Sequence, residues 1–144
     1  MRPFIGTYEN KVDRKGRVSV PAKFRAVLSA EDYTSIVVRP DVEKGCIEGY
    51  GMDRLERLND QTPDLVDFDD PGSAAYQILA ESEELPFDPN GRVLIPAPLL
   101  EEAGIDETAI FVGLGRVFQI WNPEAYQTFK ATKLRPAPRK GDAA

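Results

Sequence analysis

Apolar positions along this chain come in short groups, and their spacing switches repeatedly between the period of a strand and that of a helix. Phe4-Ile5-Gly6-Thr7-Tyr8 opens as a short strand. Further on, Val18 and Val20 alternate with Arg17 and Ser19, which assigns the valines to a defined face of a second strand. Pro21 then precedes Phe24, Val27 and Leu28, spaced like one face of a short helix with proline at its first position. Ile36-Val37-Val38 and Cys46-Ile47-Glu48-Gly49-Tyr50 predict two more strands, and Met52, Leu55 and Leu58 predict a closing helix.

The same order then returns. Residues 13–22 reappear as residues 88–97, at an offset of 75, with six of ten positions identical and Val20 replaced conservatively by Ile95. Leu85-Pro86-Phe87 opens the second copy. Behind Pro96 come Leu99, Leu100 and Ala103, with Gly104 as a C-terminal stop. Ile110-Phe111-Val112 and Val117-Phe118-Gln119-Ile120-Trp121 predict strands, and Gly113-Leu114-Gly115 a turn connecting them. Asn122-Pro123-Glu124 caps a last helix carrying Ala125, Tyr126 and Phe129. Between the copies, residues 60–71 read as an acidic loop, and Ser73 caps a helix with Ala75, Ile78 and Leu79 on its buried side.

Each copy alone is too small to bury much of a core. The organisation expected is therefore one domain over residues 1–129, built from two repeats at about 4–58 and 85–129 that pair about a pseudo-twofold axis. An acidic loop and helix at 59–84 join them, and residues 130–144 form a basic tail expected to be disordered.

Charge sharpens this picture. The net charge of −6 is wrong in sign for a nucleic-acid binder, but it is unevenly spread. Residues 11–25 hold Lys11, Arg14, Lys15, Arg17, Lys23 and Arg25 against Asp13 alone, while residues 59–107 hold thirteen acids against Arg92 alone. A basic working surface and an acidic back follow. There is no histidine, and Cys46 is the only cysteine, which excludes histidine-dependent catalysis, an intrachain disulfide and a cysteine zinc site. The acidic pairs Glu83-Glu84 and Glu101-Glu102 read as solvated faces, so no enzyme, metal, cofactor or small-molecule substrate is expected. Without an apolar leader near Met1-Arg2-Pro3-Phe4 or a stretch long enough to span a bilayer, the chain is expected to be soluble and cytoplasmic.

The repeated turn carries the candidate chemistry. Asp13 and Asp88 can accept backbone N–H groups two or three residues on, while Gly16 and Gly91 supply positive φ where the chain reverses. At the second copy, with neutral Pro89 and Asn90 between them, Asp88 and Arg92 are read first as a turn-stabilising pair. At the first copy Lys11, Arg14, Lys15 and Arg17 present several cations together, which suits phosphates and, for an arginine at a hairpin tip, guanine O6 and N7.

The paired Asp–Arg signatures, each continuing as Gly-Arg-Val and ending in Pro-Ala, resemble the MraZ family, and the single motif resembles the wider AbrB/MazE group of swapped-hairpin DNA-binding proteins. The resemblance runs from about Phe4 to Phe129. It implies a mainly β fold with attached helices, a pseudo-twofold swapped-hairpin (double-split) β-barrel. It further implies a nucleoid-associated transcriptional regulator that forms homo-oligomeric rings on promoter DNA. Its targets would be repeated short G-rich boxes upstream of a bacterial cell-division and cell-wall operon. Carried over residue by residue, it makes Lys15 and Arg17 DNA contacts with Lys11 and Arg14 beside them, Asp13 and Gly16 loop-shaping, and Asp88, Gly91 and Arg92 their second-copy counterparts. The family segment between the halves often carries arginines, whereas residues 59–87 here contain no Lys or Arg and suit subunit packing better. Two other readings stay open: an AbrB/MazE-type antitoxin-like regulator using the basic tail on a partner, and an assembly scaffold that binds no DNA.

Overall fold

The computed structural model describes residues 1–61 and 66–134. The first half runs β1 (Phe4–Lys11), β2 (Arg17–Ser19), α1 (Ala22–Ser29), β3 (Ser35–Asp41), β4 (Cys46–Tyr50) and α2 (Asp53–Gln61). After α3 (Ala74–Glu81) the second half repeats the order as β5 (Glu83–Pro86), β6 (Arg92–Leu94), α4 (Ala97–Ala103), β7 (Thr108–Gly115), β8 (Phe118–Trp121) and α5 (Pro123–Lys133). The fold is thus mainly antiparallel β with attached helices. Six strands form one sheet in the order β1-β7-β8-β4-β3-β5, and β2 pairs with β6 as a separate ribbon. Exchanging each strand for its counterpart in the other half reads the sheet order backwards unchanged, so a pseudo-dyad passes between β8 and β4. Each half's opening strand pairs with a strand of the other half: β1 lies on β7, β5 on β3, and the ribbon itself takes one strand from each half.

Strand alternation divides the apolar residues between the sheet's two faces. On one face Phe4, Ile36, Val38, Ile47, Phe111, Phe118 and Ile120 meet Val18, Val20, Val93 and Ile95 of the ribbon and Phe24, Val27, Leu28 and Leu99 of α1 and α4, in one continuous core drawn from both halves. Phe24 is its hub, with ring centroids 5.3 Å from Phe4, 5.2 Å from Phe118 and 5.6 Å from Tyr8. On the other face Cys46, Ile110, Val112 and Trp121 lie under α5, whose Phe129 ring sits 4.8 Å from that of Trp121. Val37, Tyr50 and Ile78 pack there against Met52 and against Leu55 and Leu58 of α2.

Several sequence expectations need amendment. Pro21 and Pro96 are the N-cap residues of α1 and α4, one step earlier than expected. Gly113 lies inside β7, because its missing side chain admits the β1 backbone: a Cβ there would stand 2.5 Å from the Ile5 amide nitrogen. The chain reverses after Gly115 instead, where φ is +85° and Leu114 N–H bonds to the Val117 carbonyl at 2.9 Å. α2 runs into the segment expected as acidic loop, to Gln61, while residues 62–65 of that loop lie outside the described residues. Ser73 does cap α3, accepting from Tyr76 N, and Ile78 is buried in the chain's own core as expected. α5 carries the chain helically through Lys133, beyond the boundary drawn at 129, and residues 135–144 of the expected tail lie outside the described residues.

Candidate nucleic-acid interface

Both turns close in the same way. Asp13 Oδ1 accepts from the backbone N–H of Lys15 and of Arg17, each at 2.9 Å, and Asp13 Oδ2 accepts from Arg17 Nε at 2.7 Å. Asp88 repeats the set with Asn90 N, Arg92 N and Arg92 Nε, all at 2.9 Å. The acceptor therefore reaches two and four residues on, rather than two or three. The Arg17 backbone N–H, more than any other group, holds the Asp13 carboxyl below its ordinary range; partial loss of water opposes it, and the Arg17 guanidinium and Lys15 N–H add to it. Asp88 is lowered likewise, first by the Arg92 backbone N–H. Gly16 (φ +90°) and Gly91 (φ +75°) make the reversal that no L side chain adopts readily. The geometry of an Asp–Arg buckle is thus common to both copies, and does not separate a functional turn from a structural one.

The turns sit at opposite ends of the β2–β6 ribbon. Val18 faces Val93 at its centre, with Arg17 opposite Leu94 and Ser19 opposite Arg92. The bond from Ile95 N to Gly16 O has its mirror in Val20 N to Gly91 O, so the ribbon obeys the same pseudo-dyad as the sheet. Both central valines are 1% exposed and point into the core. Arg17, Ser19, Arg92 and Leu94 consequently share the outward face, where the first three are partly or fully exposed and Leu94 is 55% exposed. The two arginines, one from each half, stand roughly 8 Å apart by strand geometry, two residues of rise along the ribbon and one spacing across. Each spends only Nε on its aspartate; the terminal nitrogens make no hydrogen bond among the described residues.

Lys11, Arg14 and Lys15 are exposed around the first turn, Lys11 at the end of β1 opposite Thr108. The second turn is less neutral in space than in sequence. Arg25 of α1 lies against it, its Nε donating to the Val20 carbonyl at 3.0 Å and its guanidinium over Gly91. Sequence reading grouped Arg25 with the basic stretch around the first turn and missed this. The repeat shows that the counterpart of Arg25 at the same offset is the apolar Leu100, which lies against Gly16, but repeat spacing does not tell which turn each helix covers. Cys46 offers no nucleophile: burial beneath α5 pushes its thiol up to about 12. Among the described residues no helix is long and apolar enough to cross a membrane.

Comparison with known proteins agrees with the repeat. The family model described as "MraZ protein, putative antitoxin-like" matches twice, over residues 4–70 and 78–140. The chain is 67% identical to a transcriptional regulator MraZ of Rhodospirillum rubrum, over all of this chain and 95% of that protein. It is 42% identical to one from Pelagibacter ubique over 93% of this chain and 87% of that protein, and 39% identical to one from Rickettsia peacockii over 90% and 87%. Double coverage by the family model and identity along nearly the whole length leave one conclusion: the chain belongs to the MraZ family of transcriptional regulators, which are not enzymes.

Proposed function

We propose that the β2–β6 ribbon and its two buckled turns bind double-stranded promoter DNA in a sequence-specific manner. The observation that carries this reading is the placement of Arg17 and Arg92 on one outward ribbon face, related by the pseudo-dyad and each aimed by its own aspartate. A two-stranded ribbon fits the major groove, and an arginine there reaches guanine O6 and N7 with paired donors. A separation of roughly 8 Å spans a little over two base-pair steps of 3.4 Å. Lys11, Arg14 and Lys15 flank the arginines as phosphate contacts.

The finer parts of the proposal rest on the family resemblance. They are repeated short G-rich boxes as target, a bacterial cell-division and cell-wall operon as the regulated unit, an oligomeric ring as the working assembly, and a cytoplasmic, nucleoid-associated location. A single domain over residues 1–129 is proposed with them, supported by the core that both halves share.

A gel-shift titration of Arg17→Ala and Arg92→Ala, with circular dichroism as folding control, tests the reading. One bidentate arginine–guanine pair contributes roughly 1–3 kcal/mol of discrimination, so each folded variant should lose roughly 5- to 150-fold in specific affinity. Undiminished binding by both would move the working surface off the ribbon, and no binding by the unaltered chain would favour the scaffold.

A further inference from the structure

The two turns differ in the charge they bring themselves. Between aspartate and glycine the first carries Arg14 and Lys15, the second Pro89 and Asn90. The helices invert that difference, because each packs over the opposite half's turn. Leu100 of α4 lies against the first, with Cδ1 3.2 Å from where a Gly16 Cβ would be. Arg25 of α1 lies against the second, with Nη1 2.6 Å and Cζ 2.7 Å from where a Gly91 Cβ would be. The absent side chain at Gly91 is what lets a guanidinium settle on the turn.

Arg25 is held but not neutralised. Its Nε bond to the Val20 carbonyl fixes the guanidinium in place, and no carboxylate makes an ion pair with it among the described residues. Asp88 and Pro89 line the same open cleft, yet the Asp88 carboxylate is already occupied by Arg92 and two backbone N–H groups. The remaining Arg25 guanidinium donors border that open cleft, so an anion can meet them there without breaking an existing ion pair. We infer that Arg25, lying beside the base-reading Arg92, forms a second phosphodiester-contacting site at the Asp88–Arg92 turn, so that both ends of the ribbon grip the DNA backbone. The first end uses cations of its own loop, the second a cation lent by the other half's helix. This inference rests on the DNA-binding reading above.

The slope of log affinity against log salt tests it, because each phosphate contact contributes about 0.9 to that slope on duplex DNA. The probe is a duplex from the region upstream of the chain's own coding sequence, titrated with the full chain. Arg25→Leu installs the residue found at the counterpart position. Its slope should become shallower by about 0.9 per engaged subunit, with affinity down on the order of tenfold and the circular dichroism spectrum unchanged. Asn90→Lys, matching Lys15 in the first turn, should restore the slope in the Arg25→Leu background and steepen it by about 0.9 in the otherwise unaltered chain. The latter measurement holds even if Arg25→Leu fails to fold. An unchanged slope in folded Arg25→Leu, or no steepening by Asn90→Lys, overturns the second site while the DNA reading stands, provided Arg17→Ala is impaired. Loss of the slope in Arg25→Leu without restoration by Asn90→Lys makes Arg25 structural and also overturns it. If the unaltered chain leaves the duplex unretarded, the DNA reading itself has failed.

Discussion

Asp13 does two separable things at the first turn: one carboxylate oxygen gathers backbone N–H groups and the other aims the Arg17 side chain. Substitutions can divide these tasks. Asp13→Asn keeps an oxygen for the Lys15 and Arg17 amides but removes the charge that orients Nε, whereas Asp13→Ala removes both. Affinity for promoter DNA should therefore fall in the order unaltered chain, Asn variant, Ala variant, with the fold retained by circular dichroism throughout. Equal loss in the two variants would mean that the charged contact to Arg17 Nε alone does the positioning and the backbone bonds add nothing. The sign of the pH dependence follows from the same contacts. Both aspartates have folded-state values below their ordinary one. The stabilisation they contribute is fully present above the ordinary carboxylate value, near pH 4, and is lost as pH falls through the lowered value. With no histidine in the chain, affinity should be flat from about pH 6 to 8, and turn integrity should fail only well below about pH 4. A gel-shift series across that range, with unfolding followed in parallel at acid pH, checks both halves of the expectation.

At the scale of elements, the ribbon is only three residues long on each side and depends on what lies beneath it. Val18, Val20, Val93 and Ile95 seat it on the core, in which Phe24 of α1 and its repeat counterpart Leu99 of α4 are both buried. Phe24 is 0% exposed and its ring meets four others, while Leu99 is 8% exposed. Phe24→Ala should cost roughly 3–5 kcal/mol of unfolding free energy. Leu99→Ala should cost less, within the roughly 2–5 kcal/mol range for that substitution, because less of it is sealed. Denaturant midpoints read at constant m-value measure the pair, and equal losses would show that the two halves bear the core alike. What was legible in sequence follows from the same physics. Short-range signals were readable: Val18 and Val20 alternating, Phe24 with Val27 and Leu28 on a helical face, Asn122 capping α5 through Ala125 N at 2.9 Å. Asp13 and Arg17 could be paired because four residues and a glycine suffice to close the turn. Contacts set by the pseudo-dyad were not readable, since sequence spacing does not say which helix crosses to which turn. Arg25 on Gly91 and Leu100 on Gly16 belong to that class. So does Gly113, whose place inside β7 is decided by the arrival of β1 from the far end of the chain.

For the molecule as a whole, the difficulty is electrostatic. A chain of net charge −6 is repelled by DNA at long range, and the cations that oppose this sit at the two ends of one short ribbon. Salt screening limits the repulsion to about a Debye length, about 8 Å at physiological ionic strength, so a docked ribbon is not expelled. A single subunit nonetheless brings too few phosphate contacts to bind tightly. The proposed ring resolves this without any new contact. Once one ribbon has docked, the others are held near further boxes, and linked binding can exceed single-site affinity by roughly 10²–10⁴. That gain exists only if successive boxes present the same face to the assembly. B-DNA turns once in about 10–10.5 base pairs, so inserting about five base pairs between two boxes rotates one of them to the far side. Binding should then fall toward the single-box level, whereas an insertion of about ten should restore most of it. Light scattering on the free protein reports the assembly, and gel shifts on the three spacings report the phase. Indifference to spacing, or equal affinity for one box and for the repeated array, would leave each subunit binding alone, and the ribbon face would then have to supply the whole affinity against the chain's own charge.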